Sequence, residues 1–157
     1  MYRWLALSAL VFLLDQLTKL WAEGVLTLHQ PVPVMSSFNL TLMYNEGAAF
    51  SFLSDQGGWQ RGFLIVLAIG VTAVLVAWLF RLKPGERRVA CGLTLVIGGA
   101  LGNVFDRIIH GHVIDFIDVY YNDWHWPAFN VADSAITLGV ILLLLDSLFH
   151  KDTPNPE

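Results

Sequence analysis

Four apolar runs, each close to the length of a bilayer-crossing helix, are spread along the whole chain at 4–21, 62–80, 89–105 and 131–149. A hydrocarbon core is about 30 Å thick, and a helix needs about 20 apolar residues to cross it. Within lipid, every backbone N–H and C=O must be paired inside the protein, so continuous runs of this length become helices. Composition agrees with that reading. Only 14% of the 157 residues are charged and 55% are hydrophobic, whereas a soluble domain carries about a quarter charged residues. The apolar runs leave no stretch for a separate soluble domain, and the chain reads as one membrane unit over 1–157. The second run, GFLIVLAIGVTAVLVAWLF, holds no charge. The other three contain polar residues, and polar groups in a membrane segment mark sites of function or pairing.

Basic residues orient the spans. The link between the second and third runs carries Arg81, Lys83, Arg87 and Arg88, Arg3 precedes the first, and Lys151 follows the last. Residues 23–60 and 108–130 contain no Lys or Arg. The positive-inside rule therefore places both termini and the 81–88 link in the cytoplasm, with the two long loops outside. Trp4, Trp21, Trp59, Trp78, Trp124 and Trp126 fall at or near span ends, as interfacial residues do. The first span has no small-residue cleavage site at its end and is read as a retained helix rather than a secretion signal. Cys91 stands alone, so no internal disulfide can form.

The first outer loop has strand character around 38–44, closed by the turn signal Asn45-Glu46-Gly47. A small sheet on the outer surface is expected there, with the GAAF stretch returning the chain toward the bilayer.

The candidate chemistry is acidic. Asp15 and Lys19 are four apart on the first span, so they share a helical face. They read as a buried ion pair, with Lys19 also placed to brace an outer site. Gly98 and Gly102 form a small-xxx-small face suited to close helix packing. Asn103 and Arg107 project from one side near the outer end of the third span. Arg107 reads either as a snorkelling side chain or as part of a site, and Asp106 as a salt-bridge partner or an interfacial acid. Asp115, Asp118 and Asp123 lie in the second outer segment, where any one can be a solvated loop acid. Asp115 differs because Val113, Ile114, Phe116 and Ile117 surround it, and desolvation raises a carboxyl pKa. Asp133 has a structural explanation of its own: with Asn130 as N-cap it falls at the third helical position, where an acid suits the helix dipole. Set at the same end of adjoining helices, Asp115 and Asp133 would form an acid pair sharing a proton, the machinery of aspartyl hydrolysis. Other hydrolytic chemistries find no support: there is no GxSxG elbow, no HExxH helix, and only an isolated His110-x-His112 pair for a metal. The alternative from another class is a small proton- or ion-coupled transporter. That would need polar groups reaching a midplane site from both sides.

The segments DQLTK at 15–19, YNEGAAF at 44–50, GGALGNVFDR at 98–107, VIDF at 113–116 and FNVADSAI at 129–136, in this order on a four-span frame, resemble the motif set of the bacterial lipoprotein signal peptidases (signal peptidase II). The resemblance covers nearly the whole chain. It implies an aspartyl endopeptidase of the bacterial inner membrane that removes signal peptides from prolipoproteins, cutting before a diacylglyceryl-modified cysteine. The implied fold is an all-α membrane protein of four transmembrane helices with a small β-sheet cradle, a loop and a short helix on the outer, periplasmic face. It maps the catalytic dyad onto Asp115 and Asp133, and site-shaping or substrate-positioning roles onto Asp15, Lys19, Asn45, Gly47, Asn103, Arg107, Asn130 and Ala132. No metal and no cofactor are implied. The expected partners are the lipid-modified substrate and membrane lipid, with no nucleic acid, for a protein acting as a monomer. Within the dyad, the helix N-terminus favours an ionised Asp133 and the apolar flanks favour a protonated Asp115.

Overall fold

The computed structural model describes residues 2–47 and 59–149. The GAAF return, apart from Gly47, lies outside those residues. Four long helices make up most of the rest: α1 (Tyr2–Val25), α2 (Trp59–Arg81), α3 (Arg87–Ile109) and α4 (Val131–Phe149). All four are long and apolar enough to cross a membrane. Among the described residues there is no further α-helix, so the short outer helix implied by the resemblance is not found there.

α3 is the axis of the bundle. Two-thirds of its membrane-length stretch is buried, 67% against 11% for α2, and it packs on α1, α2 and α4. Small residues permit this. A side chain at Gly98 would strike the Ser8 backbone of α1, and one at Gly139 would come within 2.6 Å of the Gly92 carbonyl. Backbones this close leave Ser8 Oγ able to donate to the Thr94 carbonyl at 2.8 Å. The other helices turn Leu17, Val66, Val74 and Leu148 outward. Such faces suit lipid, where apolar exposure costs nothing.

The two ends of the bundle differ. Around the 81–88 link, Leu79, Leu82, Val89, Ala90, Leu93 and Ile97 form an apolar core, with Trp4 and Leu143 packed against it. The opposite end carries a four-stranded antiparallel sheet in the order β1-β2-β3-β4: β1 (Val32–Met35), β2 (Phe38–Asn45), β3 (Val113–Tyr121) and β4 (Trp124–His125). The strand character read around 38–44 is β2. The long strand β3 was not anticipated. Its VIDFIDVYY sequence lacks strict alternation, with Asp115 and Asp118 three apart and the first four residues all buried, and it pairs Met43 with Asp115 and Asn45 with Val113. Asp115 therefore sits on a strand, not at a helix end as the sequence suggested. A bridge between Ile117 and Phe129, with N–H···O distances of 2.9 and 3.1 Å, then ties the chain entering α4 to the same strand.

Candidate active site

The Ile117–Phe129 bridge puts Asn130, the residue just before α4, beside Asp115. Asn130 Nδ2 donates to Asp115 Oδ1 at 2.7 Å. At the same time Asn130 Oδ1 accepts the Asp133 backbone N–H (2.9 Å), and the Asn130 N–H reaches Asp133 Oδ2 (3.3 Å). This reciprocal arrangement is a capping box with an aspartate in the acidic position. One asparagine thus caps the helix that carries one carboxylate and grips the other.

Asn103, projecting from α3, completes the link. Its Nδ2 donates to Asp133 Oδ1 at 2.7 Å, and its Oδ1 accepts from Lys19 Nζ (3.0 Å) and Asn130 Nδ2 (3.2 Å). On the other flank Asn45, at the end of β2, donates to Asp115 Oδ2 (3.2 Å) and accepts the Gly47 N–H (3.1 Å). Asp115 is 2% exposed. Burial, then the negative charge of Asp133, push its carboxyl from 3.8 up to about 7, against the opposing hydrogen bond from Asn45. Near neutral pH it can hold a proton.

Beneath the pair lies a charged cluster larger than an i,i+4 ion pair. Lys19 Nζ lies 2.7 Å from Asp15 Oδ2 and 2.7 Å from Asp106 Oδ2, with all three side chains buried. Asp106 is thus a full partner in the cluster rather than an interfacial acid. Gln16, not noticed in the sequence, donates to Asp15 (3.1 Å) and Asp106 (2.9 Å). Asp15 Oδ1 accepts the Ala132 N–H at 2.9 Å, in the first turn of α4, and Asp106 Oδ2 accepts from the Ile114 N–H at the start of β3 (3.3 Å). The cluster therefore holds α1, α3, β3 and α4 in one register directly behind the carboxylates.

Arg107 does not snorkel. Its Nη2 donates to the Gly47 carbonyl (2.8 Å) and Nη1 to the Asn103 carbonyl (3.3 Å). With Asn45, Asn103 and Asp133 it lines a cavity of about 120 Å³, closed on another side by Trp126, Pro127, Ala128 and Phe129. Asp133 lines this cavity and Asp115 stands behind Asn45. The four residues from Trp126 to Phe129 were missed as wall. Their signal was position: a bulky run just before a helix cap.

Asp118 is not a solvated loop acid. It is buried, accepting from Asn39 (3.2 Å), Thr41 (3.0 Å) and His125 Nδ1 (2.7 Å), and it joins β2, β3 and β4. His110 and His112 have rings 6.1 Å apart, and no cluster of metal-ligating side chains exists among the described residues.

Two acids joined through Asn130 and Asn103, at one end of a bundle of four membrane-length helices, are an arrangement that suits a membrane-embedded aspartic hydrolase. The comparisons narrow that class. The family model described as Signal peptidase (SPase) II matches residues 7–149. Lipoprotein signal peptidases of Teredinibacter turnerae and Pseudomonas aeruginosa are 53% and 54% identical to this chain. Each alignment spans 94% of it, with 88% and 89% of the relatives covered. A solved bacterial membrane enzyme superposes with a TM-score of 0.81 at 31% identity, over 98% of this chain and 94% of that one. A second gives 0.83 at 29%, covering 96% of each. The chain belongs to the signal peptidase II family and is an aspartic-type signal peptidase.

Proposed function

We propose that the enzyme cuts signal peptides from prolipoproteins immediately before a diacylglyceryl-modified cysteine, with Asp115 and Asp133 as the acid–base pair. The observation that carries this reading is the meeting of the two carboxylates across Asn130 and Asn103, beside a cavity at one end of the bundle. Two close carboxylates do not readily both ionise. Asp133, which lines the cavity and caps α4, is the ionised member and takes a proton from water. The resulting hydroxide attacks the scissile carbonyl carbon. Asp115, buried and with its carboxyl pushed up to about 7, donates its proton to the carbonyl oxygen. Collapse of the tetrahedral intermediate breaks the C–N bond: the proton gained by Asp133 passes to the leaving amine of the cysteine, and Asp115 takes back a proton from a gem-diol hydroxyl, which restores the starting pair.

The supporting residues act on position and charge. Asn45, Asn103 and Asn130 fix the carboxylate orientations. Asp15 and Lys19 anchor the Ala132 turn. Arg107 joins the cavity wall to Gly47, and its buried Nε has no partner among the described residues, a donor available to a bound peptide. The pair lies at the membrane boundary, so a lipid-modified cysteine can present its peptide bond while its acyl chains stay in the leaflet. In this reading the carboxylate end faces the periplasm or exterior, and both termini and the 81–88 link are cytoplasmic in the inner membrane. The transporter alternative finds no support, because the buried charges gather at one end of the bundle.

Cleavage of a diacylglyceryl-modified prolipoprotein by the purified enzyme tests the proposal. Asp115→Asn and Asp133→Asn should each slow it by at least about 10²–10⁴-fold, with Arg107→Ala less severe. Full activity in either asparagine variant would remove that residue from the dyad.

A further inference from the structure

At the end of the bundle remote from the carboxylates, the starts of α1 and α3 and the link after α2 enclose a second cavity, about 800 Å³ in volume. This lies within the range of about 300–1,000 Å³ typical of ligand sites. Its rim carries three cations, Arg3, Lys83 and Arg87, all exposed and none in an ion pair among the described residues. The one acid on the rim, Glu86, is turned to the backbone, where its carboxylate accepts the Lys83 N–H. The floor is apolar: Leu82 and Ala90 belong to the core cluster, and Trp4 packs on it.

We propose that this cavity is a binding site for the phosphodiester headgroup of an anionic phospholipid. Two arginines and a lysine line this one cavity, and guanidinium forks match phosphate oxygens in pairs. A free anion would use the rim and leave the apolar floor uncovered. A lipid uses both, with its phosphate on the rim and its glycerol and first methylenes over Leu82 and Trp4. Position supports the same occupant. The cavity opens at helix ends, beside the exposed lipid-facing rings of Tyr2 and Phe80, which pack edge to face at 5.7 Å. Basic pockets between membrane helices are recognised sites for anionic headgroups.

The test is native mass spectrometry of the full chain in detergent, with equal amounts of phosphatidylglycerol and phosphatidylcholine of matched acyl chains. Phosphatidylglycerol adducts should dominate. Lys83→Gln and Arg87→Gln should each lower the ratio of the two adducts about fivefold. Arg81→Gln and Arg88→Gln remove cations of the same segment that do not line the cavity, and should leave the ratio near that of the parent. Equal binding of the two lipids would overturn the proposal. So would equal losses in all four variants, which would mean diffuse surface charge. Displacement of the phosphatidylglycerol adduct by millimolar inorganic phosphate would assign the cavity to a free anion and overturn the lipid assignment.

Discussion

Asp115 and Asp118 stand three residues apart on β3, and their environments give them opposite responses to pH. Asp115 is held up at about 7 by burial and by Asp133, against 3.8 in the absence of structure. Between these values the native chain keeps a proton that the unfolded chain has released. That stabilisation is complete at the acid end and is lost as pH rises to about 7. The thermal midpoint of the parent should therefore fall relative to Asp115→Asn as pH is raised from about 4 to about 7, then run level. Burial would also raise Asp118, but the hydrogen bonds from His125, Asn39 and Thr41 outweigh it and hold the carboxyl below its ordinary 3.8. Its stabilisation is present above that value and is lost as pH falls through the lower native one. Against Asp118→Asn, the parent should lose ground only below about pH 4. A flat difference in either series would show that the stated contacts do not govern that titration. At the same scale, Lys19 is, among the described residues, the cation in ion-pair contact with both Asp15 and Asp106. Lys19→Met would leave both carboxylates buried without it. Thermal unfolding in detergent should show a loss of about 3–5 kcal/mol, as for other buried pairs stripped of a partner.

Among the elements, the contact between α3 and α4 has least room for change. A methyl at Gly139 would meet the Gly92 carbonyl at 2.6 Å and Val96 at 2.7 Å, and one at Gly99 would strike the Ala132 carbonyl. Ala132 is also where Asp15 holds the first turn of α4, so a shift at Gly99 would reach the site as well as the packing. Gly99→Ala should cost about 1–3 kcal/mol, the usual range for overpacking, and should lower cleavage at the same time. Gly70, in α2, meets nothing within 4 Å. Gly70→Ala should raise the unfolding midpoint slightly, since alanine gains about 0.5–1 kcal/mol over glycine within a helix. If Gly99→Ala were as stable as the parent, the two helices would have to part easily, contrary to the close approach of their backbones.

For the molecule as a whole, the proposed topology separates the two cavities by the thickness of the membrane. In a Cys91→Ala background, an impermeant thiol reagent applied to intact cells should modify Asp123→Cys, at the exposed turn between β3 and β4. It should leave Pro84→Cys, beside the basic cavity, unmodified until the membrane is opened. The reverse pattern would invert the molecule and move the carboxylates to the cytoplasmic side. Both positions are exposed, so accessibility in the open membrane provides the internal control.

The amino-acid sequence alone determined the four helices, because apolar length is a local property and lipid leaves the backbone no other way to pair. It also determined the Asn130 cap with Asp133 at the third position, because capping needs only four consecutive residues. The five motifs were enough to suggest the family, and the match over residues 7–149 bears that out. Tertiary structure decided what depends on distant partners. β3 was hidden because a strand's register depends on the one beside it, here β2 some 70 residues earlier. Asp106 joined Lys19 because α1 and α3 approach closely through Gly98 and Gly102, and helical spacing within one span cannot predict a third charge from another. Arg107 found Gly47 rather than the headgroups because the end of β2 is carried over the end of α3. Spacing located each polar group along its own element. Only the packing of the elements brought Asp115, held on a sheet, to Asp133, held on a helix.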